Sequence, residues 1–205
     1  MDILISSNNK DKIKEIKEIF DNENVNLLAL SQFPDISEVV EDRNTLFENA
    51  LKKARVLFEY TNIPTIADDT GLEVDALNGA PGIYSARYAG ENVSYDDNVN
   101  KLLNEMQGIT DEKRTARFKT VAVFYSGSLC FHETGIIEGT ILNTRKGKGG
   151  FGYDPVFFIP EIGKSFSDMT IEEKNKISHR GQAFTKLYQS FIHKTKSQND
   201  EVSPS

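Results

Sequence analysis

The chain has 205 residues, 38% hydrophobic and 27% charged, with 24 basic against 31 acidic side chains and a net charge of −7. That is enough chain for one domain with a sizeable core, and an acidic balance that speaks against a nucleic-acid partner. No apolar run reaches the roughly 20 residues of a membrane span, and the single cysteine, Cys130, has no intrachain partner, so a buried free thiol in a reducing compartment is expected.

The opening run MDILISSNNK has neither the basic region nor the long apolar region of a leader peptide, which sets an expectation of a cytoplasmic protein. Residues 2–6 read as a short buried strand. Ile13, Ile16, Ile19 and Phe20 share one face of a helix over 10–22. VNLLAL (25–30) is a second strand, and residues 31–43 an acidic loop containing Pro34. A helix over 44–60 carries Phe47, Ala50, Leu51, Ala54, Leu57 and Phe58 on one face. PTIAD (64–68) is a third strand, and GLEVDAL (71–77) continues or pairs with it.

Ala80-Pro81-Gly82 is expected to open a short helix, because proline is tolerated in a first turn. Ser94 and Asp97 signal the start of another helix, and Gly108 its end. Residues 115–126 and 128–142 read as antiparallel strands joined at Ser126-Gly127-Ser128. A glycine-rich loop, RKGKGGFGYDP, leads into strand 156–159. Thr170 with Glu173 forms a capping box, Ser178 precedes a final helix, and the polar stretch 196–205 is expected to be disordered. Residues 1–195 form one domain of mixed α/β class, with a mixed sheet flanked by helices.

Three stretches can carry chemistry. SSNNKDK (6–12) spans a strand-to-helix junction, where unpaired N–H groups and the helix dipole favour an anion. Lys10, Lys12 and Lys14 sit in or near that first turn, where the dipole disfavours cations unless an anion lies between. An ordinary capped helix with solvated lysines is the plainer explanation.

The second stretch, Asp68-Asp69-Thr70-Gly71, follows an apolar strand and is read as a turn. A solvated turn accounts for Asp-Thr-Gly but not easily for two adjacent carboxylates. A hard divalent cation would neutralise the pair, with Glu38, Glu41 or Asp42 supplying a further acid.

In the third, GKGGFGYDP (147–155) and EEKNKISHR (172–180), the glycines allow close backbone approach to a ligand. Phe151 and Tyr153 offer a stacking face, Asp154 an acceptor, and Lys174, His179 and Arg180 donors. Taken singly, each has a bland structural explanation.

In order, SNNKDK, ADDTGLEVDALNGAPGIYSARYAG, GGFGYDPVFF and EEKNKISHR resemble the inosine triphosphate pyrophosphatase family, the Ham1-like dITP/XTP pyrophosphatases, over about residues 3–192. The resemblance implies an elongated two-lobed fold with a central cleft, and Mg²⁺-dependent hydrolysis of ITP, dITP and XTP to the monophosphate and pyrophosphate by a homodimer. It implies that Ser7, Asn8, Asn9, Lys10, Asp11 and Lys12 bind the triphosphate, with Asp11 standing where many members carry glycine. Asp69 matches the proton acceptor and metal ligand, Glu41 the second metal ligand, and Thr70 a substrate contact. Phe151, Gly152, Tyr153 and Asp154 match the segment that holds the nucleoside. Lys174, His179 and Arg180 match the remaining substrate contacts.

Three other readings compete. A Maf-type pyrophosphatase would prefer pyrimidine or modified nucleotides. A glycoside hydrolase would use Asp68 and Asp69 as acid and base, but such carboxylates face each other about 5 Å or more apart, and adjacent residues point differently. A non-catalytic nucleotide- or RNA-binding protein would leave the aspartate pair idle.

Overall fold

The computed structural model describes residues 1–20, 25–37 and 39–201, with 195–201 described as backbone only. In chain order the elements are β1 (Asp2–Ile5), α1 (Lys10–Ile19), β2 (Asn26–Ala29), α2 (Leu46–Thr61), β3 (Thr65–Val74), β4 (Pro81–Gly82), α3 (Tyr95–Glu105), β5 (Thr115–Tyr125), β6 (Cys130–Ile141), β7 (Phe157–Ile159), β8 (Lys164–Ser165), α4 (Ile171–Ile177) and α5 (His179–Glu201). The strand order is β2-β1-β3-β5-β6-β7-β8, with β4 on β3. β1 runs parallel to both its neighbours, while β3–β4, β6–β7 and β7–β8 are antiparallel. This is the expected mixed α/β class.

The chain divides into two compact units. The first holds Met1–Asp69, Val121–Gly135 and Gly181–Ser205; the second holds Thr70–Thr120 and Ile136–Arg180. In the first, strand alternation sends Ile3 and Ile5 to one face and Leu4 to the other. Ile3, Ile5 and Ile66 pack with Ile16 and Phe20 of α1 and with Ala183, Phe184 and Leu187 of α5. Leu4 packs with Leu57 of α2 and with Leu30. Helices on both faces explain why Ile3, Leu4 and Ile5 of β1 are all apolar.

In the second unit, Val99 and Leu102 of α3 and Met106 just after it join Leu72, Val74, Ala116, Phe118, Phe157 and Phe166 in one core. Arg114 is buried beside it, 3% exposed. Its guanidinium donates to the carbonyls of Ile141, Met106, Ile109 and Leu142 at 2.6–3.4 Å. Arg114→Met would take this donor from all four carbonyls, and an unmet buried acceptor costs about 1–3 kcal/mol. The expected loss is about 3 kcal/mol in urea unfolding, and a change under 0.5 kcal/mol would show that the carbonyls find other donors.

The Thr170–Glu173 capping box forms as expected, and the expected helix start at Ser94 is itself a capping box with Asp97. Four expectations do not hold. Residues 68–71 are not a turn, because β3 runs unbroken through them. Pro81 does not open a helix: after a cis Ala80–Pro81 bond, Pro81 and Gly82 pair antiparallel with Glu73 and Leu72. Cys130 is exposed rather than buried, at the first residue of β6 just after the turn. The helix α5 continues through the expected coil as far as Glu201; residues 202–205 lie outside the described residues.

Candidate active site

The first group of candidate residues lies in the first unit, where β1 meets α1. Asn9 is the N-cap: its Oδ1 accepts from the N–H of Asp11 at 3.0 Å and of Lys12 at 3.2 Å. Ser7 Oγ accepts from Asn9 N–H at 3.1 Å. The cap therefore occupies two of the N–H groups expected to face an anion. Lys10 and Asp11 are exposed, as is Asn8, while Ser7, Asn9 and Lys12 are half-buried. The Lys12 side chain brings positive charge to the first aspartate: its Nζ lies 3.2 Å from Asp68 Oδ2.

Asp68 and Asp69 are 2% and 6% exposed, in the middle of β3. Adjacent strand residues point to opposite faces, which gives each carboxylate its own partners. Asp68 takes Lys12. Asp69 Oδ2 accepts from Asn49 Nδ2 at 3.0 Å. Lys53 Nζ pairs closely with the Glu41 carboxylate and donates to the Asp68 carbonyl at 2.6 Å. Burial pushes the Asp69 carboxyl up to about 6, with Glu41 adding to the rise and Lys53, Lys12 and Asn49 opposing it. Burial works against the charge on Lys53, but Glu41, Asp69 and Asp68 together outweigh it and raise its pKa.

The helix α2 organises this corner. Asn49 and Lys53, one turn apart, face β3 and are 0% and 8% exposed. Asn49 Oδ1 accepts from Arg43 N–H at 2.9 Å, and Lys52 Nζ holds the Val40 carbonyl at 2.7 Å and Asp42 at 2.8 Å. These bonds pin the acidic loop against the helix and so set Glu41 beside Lys53. Glu38, the alternative acid, lies outside the described residues.

The second group lies in the second unit. Thr70 Oγ1 is 2.6 Å from Thr120 Oγ1, and Arg180 Nη2 donates to Thr70 Oγ1 at 3.4 Å. Asp154 Oδ2 accepts from Phe151 N–H at 2.8 Å and from Lys174 Nζ at 2.8 Å. Lys174 Nζ sits 4.6 Å, and the Arg180 guanidinium 5.5 Å, from the centre of the Phe151 ring. Gly150 has φ +77°, and a Cβ there would collide with the Asp154 carboxylate, so only glycine keeps this acid in place. Gly152 is half-buried, and Tyr153 points into the core, its hydroxyl donating to the Ser85 carbonyl at 2.9 Å. Tyr153 is thus a packing residue rather than a free stacking face. His179 is buried, its ring lying on Phe118 at 4.5 Å and 14°.

Sequence reasoning missed Asn49 and Lys53. The available signal was two polar side chains, one turn apart, flanking the apolar stripe of α2 at Leu46, Ala50, Ala54 and Leu57. Among the described residues there is no group of three or more His, Cys, Asp or Glu that could hold a metal ion. Glu41 and Asp69 nevertheless supply hard oxygen donors and interact electrostatically. Two carboxylates fit a cation such as Mg²⁺, which completes its shell with waters and substrate phosphates.

Chemically, the first unit offers a carboxylate of near-neutral pKa among fixed ammonium groups. The second offers a half-buried aromatic ring beside two cations. No helix among the described residues is long and apolar enough to cross a membrane.

Known proteins are similar to this chain over nearly its whole length. A relative from Geobacter sulfurreducens, a dITP/XTP pyrophosphatase, is 47% identical over 186 residues, covering 90% of this chain and 94% of its own. A Listeria monocytogenes protein of the same description is 45% identical over 193 residues, covering 93% and 94%. The solved structure of the Staphylococcus aureus Ham1 protein superposes with a TM-score of 0.84 at 39% identity, over 95% of this chain and 100% of that one. A HAM1 protein from Coxiella burnetii gives 0.85 at 34% identity, over 94% and 99%. Residues 3–190 match the Ham1 family as a whole, and with this fold and these relatives the chain belongs to the Ham1 family.

Proposed function

We propose that this protein hydrolyses purine nucleoside triphosphates carrying a deaminated base, ITP, dITP and XTP, to the monophosphate and pyrophosphate. The observation that carries the proposal is Asp69: a buried strand carboxylate held near neutral pKa beside Lys53, Lys12 and Glu41. The dITP/XTP pyrophosphatase relatives support the substrate class.

In the mechanism, Lys12, oriented by Asp68, takes the triphosphate together with Ser7 and the exposed start of α1. A pKa near the working pH lets Asp69 accept a proton from water and release it afterwards. The water oxygen bonds to the α-phosphorus, the α–β anhydride bond breaks, and the electron pair leaves with pyrophosphate. Glu41 and Asp69 would hold a magnesium ion, which supplies charge withdrawal from the phosphates when bound. Positioning and electrostatics supply most of the rate.

The base is placed on Phe151, with Lys174 and Arg180 as donors beside it. A 6-keto oxygen accepts from such donors; adenine's 6-amino group would set donor against donor. Sites built around one hydrogen bond reject analogues lacking it by roughly 10⁴-fold. The test is purified protein with Mg²⁺ and a panel of ITP, XTP, GTP, ATP, UTP and TTP, with pyrophosphate and orthophosphate detected separately. The expected result is pyrophosphate from ITP and XTP at about 10²-fold or more above ATP. Orthophosphate as the direct product, or UTP as the best substrate, would overturn the proposal.

A further inference from the structure

Phe151 has a ring neighbour outside the proposed chemistry, Tyr95. Its ring centre lies 6.0 Å from that of Tyr95, tilted by 42°, within the range where aromatic pairs attract. Tyr95 is the first residue of α3, 49% exposed. Its backbone is held by the capping box: Ser94 Oγ accepts from Asp97 N–H at 3.2 Å, and Asp97 Oδ2 from Ser94 N–H at 2.8 Å. Further along, Val99 and Leu102 root the helix in the core of its unit. A half-exposed ring on so firm a mount gains little by burial, and it lies against the Phe151 ring.

A second, independent tie joins the same helix to the same loop. Arg145 Nη2 donates to the Asp96 carbonyl at 3.2 Å, to Asp96 Oδ1 at 3.3 Å and to Asn100 Oδ1 at 3.1 Å. The first turns of α3 thus hold the loop at its start through Arg145 and near its end through Phe151. Between them Gly147 and Gly150 take positive φ, a backbone that sets no ring position by itself.

We propose that Tyr95 is a positioning residue for nucleobase binding: it braces the Phe151 ring as the platform on which the base stacks. The inference rests on the reading of Phe151 as that platform. Tyr95 touches no reacting phosphate, so its loss acts on substrate affinity and not on the chemical step. The benzene ring carries the brace, so phenylalanine suffices and the hydroxyl is dispensable.

The experiment is steady-state hydrolysis of ITP with Mg²⁺ by the wild type, Tyr95→Ala, Tyr95→Phe and Phe151→Ala. Inhibition by inorganic tripolyphosphate, which has the phosphates but no base, and melting temperatures are measured for each. Tyr95→Ala is expected to raise KM for ITP about five-fold, the scale of one aromatic pair. Its kcat, tripolyphosphate inhibition and melting temperature stay within two-fold or two degrees of wild type, on the order of experimental spread for a half-exposed side chain. Tyr95→Phe retains the wild-type KM. An unchanged KM in Tyr95→Ala beside a raised KM in Phe151→Ala overturns the brace and leaves the platform standing. A parallel loss of kcat, tripolyphosphate inhibition and melting temperature overturns it as merely structural. An unchanged KM in Phe151→Ala overturns the platform reading itself.

Discussion

Asp69→Asn is expected to cut kcat for ITP by about 10³-fold while making the unliganded protein more stable, not less. The activity loss follows from removing the proposed proton acceptor. The stability gain follows from linkage. Asp69 has a folded pKa of about 6 against an ordinary 3.8, so the folded state binds its proton more tightly than the unfolded chain does. Between those two values the folded protein carries more protons, and stability falls as pH rises.

The penalty is absent below about pH 4 and complete above about pH 6. A shift near two units corresponds to at most about 3 kcal/mol. That shift already includes the favourable pull of Lys53, Lys12 and Asn49. Asparagine mimics the protonated acid in shape, and its Oδ1 can still accept from Asn49 Nδ2. The variant should therefore melt a few degrees above wild type at pH 7.5, with the gap closing towards pH 4. A variant that melts below wild type at pH 7.5 would mean that the Asp69 charge stabilises the fold, contrary to its burial.

That one carboxylate shows what could and could not be read from the sequence. The adjacent aspartates were visible as an anomaly after PTIA, and so was the lack of a nearby cation. Their setting was misjudged, because Asp, Thr and Gly favour turns locally. Tertiary pairing overrides that tendency: Leu72 and Glu73 pair with β4, and Leu72 N–H donates to Ser85 Oγ at 2.8 Å, so the strand continues past Gly71.

The compensating cations come from 56 residues upstream, at Lys12, and 15 residues upstream, at Lys53. Lys12 was legible because it sits in a helix start. Lys53 was not, because a lysine at the edge of an amphipathic stripe looks solvated until the strand beneath it is known. In the second unit the motifs singled out Phe151, Asp154 and Lys174, which the structure brings together. It could not separate Phe151, which stays half-exposed, from Tyr153, whose hydroxyl is consumed by the Ser85 carbonyl. The distinction depends on φ at Gly150 and Gly152, which no residue pattern specifies.

Lys53→Met should act in the opposite sense to Asp69→Asn. The Lys53 ammonium serves the Glu41 carboxylate and the Asp68 carbonyl, with Asp69 close enough to raise its pKa. Methionine keeps most of the volume and removes the charge. It leaves two carboxylates that repel and a carbonyl without this donor. Removing one partner of a buried ion pair costs about 3–5 kcal/mol, so Lys53→Met should melt about 6 °C or more below wild type. Asp69 then loses the strongest influence lowering its pKa, while burial and Glu41 still raise it. The acidic limb of kcat/KM against pH should move to higher pH in whatever activity survives.

The double variant separates this account from simple misfolding. With Asp69→Asn in place, Lys53→Met should cost about 1–2 kcal/mol less than it does in the wild type, because one of the facing charges has already gone. Strict additivity in that cycle would mean that Lys53 and Asp69 do not act on each other, and the restraint on the burial-driven rise of the Asp69 pKa would need another source.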